Sequence, residues 1–161
     1  MRNKNKHFPH SGFTLIELLV VIAIIALLSS IGLVAMQNSR QKSRDTRRLA
    51  DMATMNNALE LYFAENKGYP TGVSGIPTGI TPTYANTLAK EPPTADGVCI
   101  GQTHTNYPTI PANQYYYEAT GTSIIFNGNT VWSDYNYYFC LGDKTGNFPP
   151  GLHIMKPGGV R

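Results

Sequence analysis

The sequence predicts an α+β protein in which one long N-terminal helix packs against a small antiparallel β-sheet. Three observations carry this reading. No proline interrupts residues 13–69, so nothing there forbids a continuous helix. Inside that span an unbroken aliphatic run gives way to an amphipathic stripe. Beyond residue 114, segments rich in tyrosine and β-branched residues recur around an Asn-Gly pair, the pattern of strands joined by a tight hairpin turn. The chain has 161 residues, 14% of them charged, enough for one domain with a modest core.

The helix begins at "SGFTLIELLVVIAIIALLSS". Arg2, Lys4 and Lys6 precede it in a stretch without an acid. Without residues 1–12 the basic and acidic residues balance at ten each, so net charge gives no firm sign of nucleic-acid binding. Three readings fit a basic leader followed by an apolar run. A secretory signal has a shorter apolar region of about 7–15 residues, and here apolar character persists through Met36. A signal anchor handles the length: Phe13–Met36 would be about 36 Å long as a helix, against a hydrocarbon core of ~30 Å. It leaves Glu17 unexplained, and a carboxylate inside a membrane is costly and usually functional.

The third reading covers both features. "GFTLIELLVVIAIIALL" resembles the class III signal of type IV pilins and pseudopilins. The resemblance is strong over residues 1–70. It implies cleavage between Gly12 and Phe13 by a prepilin peptidase, N-methylation of Phe13 and retention of the apolar segment in the mature protein. It places Glu17 at the family's acidic position, five residues in when Phe13 is counted as one. Cleavage would create an amine on Phe13 one helical turn from Glu17. Glu17 could neutralise that amine or one on a neighbouring subunit, and the second pairing would fix the axial register of a fibre.

The apolar run continues into an amphipathic half. Leu49, Met52, Met55, Leu59 and Tyr62 recur at spacings of three and four, flanked by Ala53 and Phe63, so this face meets a core. Lys67, Gly68 and Pro70 supply a last-turn cation, a C′ glycine and a proline beyond the end. A helix over 14–67 would be roughly 80 Å long. Family members with such a helix and head have a lollipop shape, and many carry a proline in the membrane half that this chain lacks. Ser29, Ser30 and Gly32 are the weak points of that half.

Arg40, Lys42, Arg44, Arg47 and Arg48 surround a single acid, Asp45. They read either as a solvated helix face or as contacts to acids of adjacent subunits or to lipid headgroups. Basic residues beside a span normally mark the cytoplasmic side. Charge alone therefore slightly favours an inward C-terminus, and only the resemblance decides for an external head.

Residues 71–114, rich in Gly, Pro and Thr, read as loops with a short helical turn near Tyr84–Lys90. "QYYYEAT", "TSIIFN" and "YNYYFCL" read as separate short strands, with Asn127-Gly128-Asn129 as a hairpin turn and "TVWSD" as strand or loop. Tyr115–Tyr117 and Tyr135–Phe139 could stack sugars or bases, although strand alternation assigns half of them to the core. Cys99 and Cys140 lie beyond an export-competent segment, which favours a disulfide over two buried thiols. The tail after Cys140 reads as turn-rich. Major pseudopilins of type II secretion bind calcium in an acid-rich C-terminal loop. This tail has one acid, Asp143, so a site from Asp143, Asn147 and backbone carbonyls is a weak candidate and Gly142–Gly146 reads more simply as a tight turn.

Enzyme chemistry has no support. His7, His10, His104 and His153 lack ligand spacing, no nucleophile motif appears, and no phosphate-cradling glycine loop precedes a helix. No cofactor is expected. The expected organisation is a leader over 1–12, a membrane or fibre-core half-helix over 13–36, an amphipathic half-helix over 37–67 and a head over 68–161. The resemblance implies a non-enzymatic subunit of a type IV pilus or secretion pseudopilus. Its partners would be copies of itself or related subunits, the prepilin peptidase, an assembly platform with its ATPase, and the membrane before assembly. The head would be extracytoplasmic on a single-pass chain, later part of an extracellular or periplasmic filament. The alternative is a membrane-tethered binding protein that does not polymerise.

Overall fold

The computed structural model describes residues 12–92, 95–101 and 115–160. The expected leader residues 1–11 and most of the loop around His104 lie outside the described residues. The chain divides into two compact units, Met1–Asn38 and Ser39–Arg161. Helix α1 runs over Leu15–Asn66, matching the expected span to within a residue at each end.

In the first unit the large apolar side chains of α1 face outward. Phe13, Leu15, Ile16, Leu27, Leu28 and Ile31 are each more than 60% exposed. By length and composition this part of the helix can cross a membrane. Its apolar surface is too extensive for a chain standing alone in water.

In the second unit the predicted stripe is the core face. Met52, Met55, Leu59 and Tyr62 are buried. Ala58 joins them, while Ala53 and Phe63 stay exposed. The stripe packs against one face of a sheet whose longest strand is β5, Asn129–Leu141. Alternation along β5 buries Val131, Tyr135, Tyr137, Phe139 and Leu141 in the same cluster.

Strand β4, Tyr116–Phe126, pairs antiparallel with β5. The hairpin turns at Asn127 and Gly128, both at positive φ, as the Asn-Gly signal predicts for a type I′ turn. The two strands expected from "YYYEAT" and "TSIIF" are one. Gly121 and Thr122 together oppose Ser133, forming a bulge between Thr120 and Ser123 that keeps the ladder going. Gly121 has φ 83°, and the Thr122 amide donates to Ser133 Oγ at 2.9 Å. "TVWSD" is strand.

Strand β1, Tyr69–Pro70, pairs with Val131–Trp132, and β6, Gly151–Lys156, pairs with Tyr137–Leu141. Trp132 and Tyr138 each have β4 on one side, so β1 and β6 share the opposite edge of β5. A two-residue strand β7, Gly159–Val160, closes onto β6. The tail is therefore a hairpin as well as turns. Strands β2, Gly72–Val73, and β3, Ile76–Pro77, form a separate small hairpin. The helical turn expected near Tyr84–Lys90 does not propagate. The amides of Tyr84 and Ala85 both bond the Ile80 carbonyl, and the ladder stops there.

Helix α1 ends differently from the expectation. Lys67, not Gly68, takes the left-handed conformation (φ 59°), and its amide bonds the Phe63 carbonyl at 2.8 Å. Gly68 serves a different need. A Cβ there would sit 2.7 Å from Val131 and 3.1 Å from the Trp132 carbonyl. Glycine at 68 lets the chain pass close to β5.

Candidate functional site

Two places carry chemistry beyond packing. The first is the start of α1. Thr14 precedes the first helical residue, where backbone amides lack helical partners. Its hydroxyl accepts from the Glu17 amide at 3.3 Å, and the Glu17 carboxylate accepts from the Thr14 amide at 2.9 Å and the Thr14 hydroxyl at 2.7 Å. This is a complete capping box, with Thr at the N-cap and Glu three residues later. Phe13, Ile16, Val20 and Val21 line a shallow recess beside the carboxylate. A Cβ built at Gly12 meets nothing within 4 Å among the described residues.

The second place is an ion cluster centred on Arg48, which is fully buried. Its guanidinium donates to Asp45 at 2.6 Å, to Asp96 at 3.2 Å and to Glu91 at 3.2 Å. Arg44 adds a bond from Nε to Asp96 at 2.7 Å. Buried Asp45 also accepts from the amides of Gly142 and Asp143, both at 3.0 Å. One carboxylate thus ties the helix to the chain just after β5. Burial works against the charge on Arg48, but its three acids outweigh it and hold the guanidinium firmly protonated. Burial also opposes the charge on Asp96, and there Arg44 and Arg48 win, keeping the carboxyl below its ordinary range. Glu91 goes the other way: burial outweighs Arg48 and pushes it up to about 8. Its Oε2 is buried without a partner among the described residues.

This cluster revises the interface reading of the basic segment. Arg48 and Arg44 are committed to acids of their own chain. Arg40, Lys42 and Arg47 remain on the exposed face, Arg47 lying 4.0 Å from Asp51. Beside the cluster, Cys99 and Cys140 form the expected disulfide across 41 residues, a loop for which the chain-entropy model gives about 3–4 kcal/mol.

Tyr115, Tyr117, Tyr135, Tyr137 and Phe139 face the core, while Tyr116 and Tyr138 pair on the other face of the sheet. Tyr115 donates to Asp51, Tyr135 to Asn56 and Tyr69 to Glu60. Rings fill the core while hydroxyls reach polar groups along α1. His153 stacks on Phe139 and bonds the Pro149 carbonyl at 2.9 Å; the other three histidines lie outside the described residues. Asp143 Oδ1 accepts from the Lys144 amide, and Asn147 sits in the turn closed by Thr145 and Phe148. Among the described residues no group of three or more His, Cys, Asp or Glu side chains is placed to hold a metal.

Residues 8–33 match the prokaryotic N-terminal methylation motif. The chain is 43% identical over 81 residues to prepilin peptidase-dependent protein D of Escherichia coli (strain K12), covering 48% of this chain and 56% of that one. It is 35% identical over 66 residues to type II secretion system core protein G of Aeromonas hydrophila, covering 41% and 46%. The chain carries the N-terminal signature of the type IV pilin and pseudopilin family. Members are structural, non-enzymatic proteins, and this pilin-like chain shares the long helix packed on an antiparallel sheet. It spans about half the length of the curated relatives it matches. No solved structure matches it.

Within this pilin-like chain, Gly12, Phe13, Thr14 and Glu17 all fall inside the matched motif. Sequence reasoning missed the Thr14 cap, although Thr-x-x-Glu ahead of an apolar run is its signature. It also missed the ion cluster. The signal was present: Asp45 and Arg48 extend the spacing of Met52, Met55 and Leu59 toward the N-terminus, so the stripe that meets the head also carries charge.

Proposed function

We propose that the chain is a structural subunit of a type IV pilus or pseudopilus. In this reading a prepilin peptidase cuts between Gly12 and Phe13, the new amine is methylated, and the subunit polymerises through the first half of α1. Residues 1–12 are the leader, 13–36 the membrane and fibre-core segment, 37–67 the amphipathic half-helix and 68–161 the extracytoplasmic head. An assembly platform and its ATPase would extract the subunit from the membrane.

The observation that carries this reading is the exposed apolar surface of Phe13–Ile31 with a single acid one turn from its start. Such a surface needs hydrocarbon or the same surface on other subunits. Gly12 adds support. A Cβ built on it meets nothing within 4 Å among the described residues, so no described packing contact requires glycine there, whereas a processing enzyme that needs a narrow, unhindered cut site does. Glu17 supports the register role, since its charge can pair with the amine of an adjacent subunit inside a low-dielectric bundle.

Intact mass of the membrane-extracted protein tests the processing step. The mature chain should begin at Phe13 and be heavier than its sequence by one methyl group. A chain retaining residues 1–12, or one cut within the apolar run, contradicts the assignment.

A further inference from the structure

A cleft of about 530 Å³ opens at the C-terminal end of α1, between the last helical turn, the loop after β3 and the turn joining β4 to β5. Its size falls within the range of small-molecule sites. Among the described residues its lining contains no charged side chain: it consists of tyrosines, asparagines, threonines and glycines.

The hydrogen-bond directions give the cleft a chemical sense. Thr71 Oγ1 donates to the Thr130 carbonyl at 3.1 Å, and Thr78 Oγ1 to the Thr71 carbonyl at 2.8 Å. Tyr84 donates to Glu65 at 2.6 Å, and Asn66 Nδ2 donates to Tyr84 and the Tyr62 carbonyl at 3.1 Å each. These hydroxyls have spent their protons on the protein, and the Asn66 amide nitrogen is engaged in the same way. At these groups what remains for a ligand is acceptors, hydroxyl lone pairs and the Asn66 amide oxygen, while Tyr62, Thr83 and Asn129 on the same lining bring hydroxyl and amide donors. The last turn of α1 adds the partial negative charge of a helix C-terminus. The lack of a cationic side chain among the described lining residues and the helix end both disfavour anions. Tyr62 and Tyr84 meet edge to face with centroids 5.2 Å apart, giving one apolar wall.

We propose that this cleft binds a neutral saccharide. Sugar hydroxyls donate to the acceptor-rich wall, and the C–H face of a pyranose ring packs on the Tyr62–Tyr84 pair. This goes beyond the filament reading and does not depend on it.

The test uses the full chain in lauryldimethylamine oxide, a detergent without a sugar headgroup. Maltotriose, cellotriose, chitotriose and the anionic trigalacturonate are titrated by calorimetry and saturation-transfer NMR. The proposal expects saturable binding of at least one neutral trisaccharide with Kd near ~1 mM or tighter, and none of trigalacturonate. Tyr84→Ala should weaken it about tenfold or more. Thr83→Arg, an exposed substitution at the mouth, should do the same with an unchanged melting curve, and it stands in for Tyr84→Ala if that variant unfolds. Failure of all three neutral trisaccharides to bind at about 10 mM, equal affinity for trigalacturonate, or full affinity in Thr83→Arg overturns the proposal.

Discussion

Thr14 and Glu17 hold each other in both directions: the hydroxyl accepts from the Glu17 amide, and the carboxylate accepts from the Thr14 amide and hydroxyl. Among the described residues Glu17 therefore has hydrogen-bond donors but no counter-charge until an amine reaches it. If it pairs with an amine in a fibre, that pairing competes with the cap. Cap and charge are separable, because glutamine can fill the capping-box position without a charge.

Replacing Thr14 by Ala removes the hydroxyl of the cap and leaves the charge. The variant should still be processed and assembled. Amides of the first helical turn should exchange faster, since they lose a fixed acceptor. Exchange measured by mass spectrometry on the purified subunit checks this, and Thr14→Ser should restore protection.

Arg48 is the cation on which three acids converge. Arg48→Met should destabilise the head by about 3–5 kcal/mol, the usual cost of stranding a buried partner charge. Arg40→Met and Lys42→Met, on the exposed face, should stay within about 0.5 kcal/mol. Urea midpoints of the three variants separate a structural role for Arg48 from an intersubunit one.

The acids around Arg48 give the head a pH dependence with two arms. The folded-state pKa of Asp96 lies below its ordinary 3.8, so its stabilisation is present above that value and is lost as pH falls through the depressed pKa. Glu91 is raised from an ordinary 4.5 to about 8. Between those values the folded state holds a proton that the unfolded chain has released, so stability falls as pH rises through that window. The fall is on the order of a few kcal/mol. From these two groups stability should peak at about pH 4, above the depressed Asp96 value and below the Glu91 window. Glu91→Gln, which keeps an acceptor for Arg48, should flatten the decline toward pH 8. Urea midpoints across pH in the two proteins measure it.

Much of this architecture is legible in the sequence because it rests on periodicity. The spacing of Met52, Met55 and Leu59 gives the helix its core face, and Asn127-Gly128 gives the hairpin. What periodicity does not register is tertiary. The single long β4 depends on a bulge in which Gly121 fits against Ser133, where a Cβ would come within 2.2 Å of Oγ. The roles of Gly68 and Lys67 exchange because closeness to Val131, not the helix end, claims the glycine. Arg44 and Arg48 look like surface charges until residues some 40–50 positions away bring Glu91 and Asp96 to them. At the N-terminus the motif itself shows where Gly12, Phe13 and Glu17 stand, but the donors that hold Glu17 come from a neighbouring threonine that composition alone does not single out.

The most direct test of the central claim is fibre assembly by Glu17→Gln in cells carrying the rest of the machinery. This variant keeps the capping-box geometry and loses only the charge. The account predicts processing at Gly12, normal subunit abundance in the membrane, and a yield of sheared fibres reduced at least about tenfold, because the charge pair that sets register is gone. Fibres at the unsubstituted yield would show that the Glu17 charge does not govern assembly and would contradict the account.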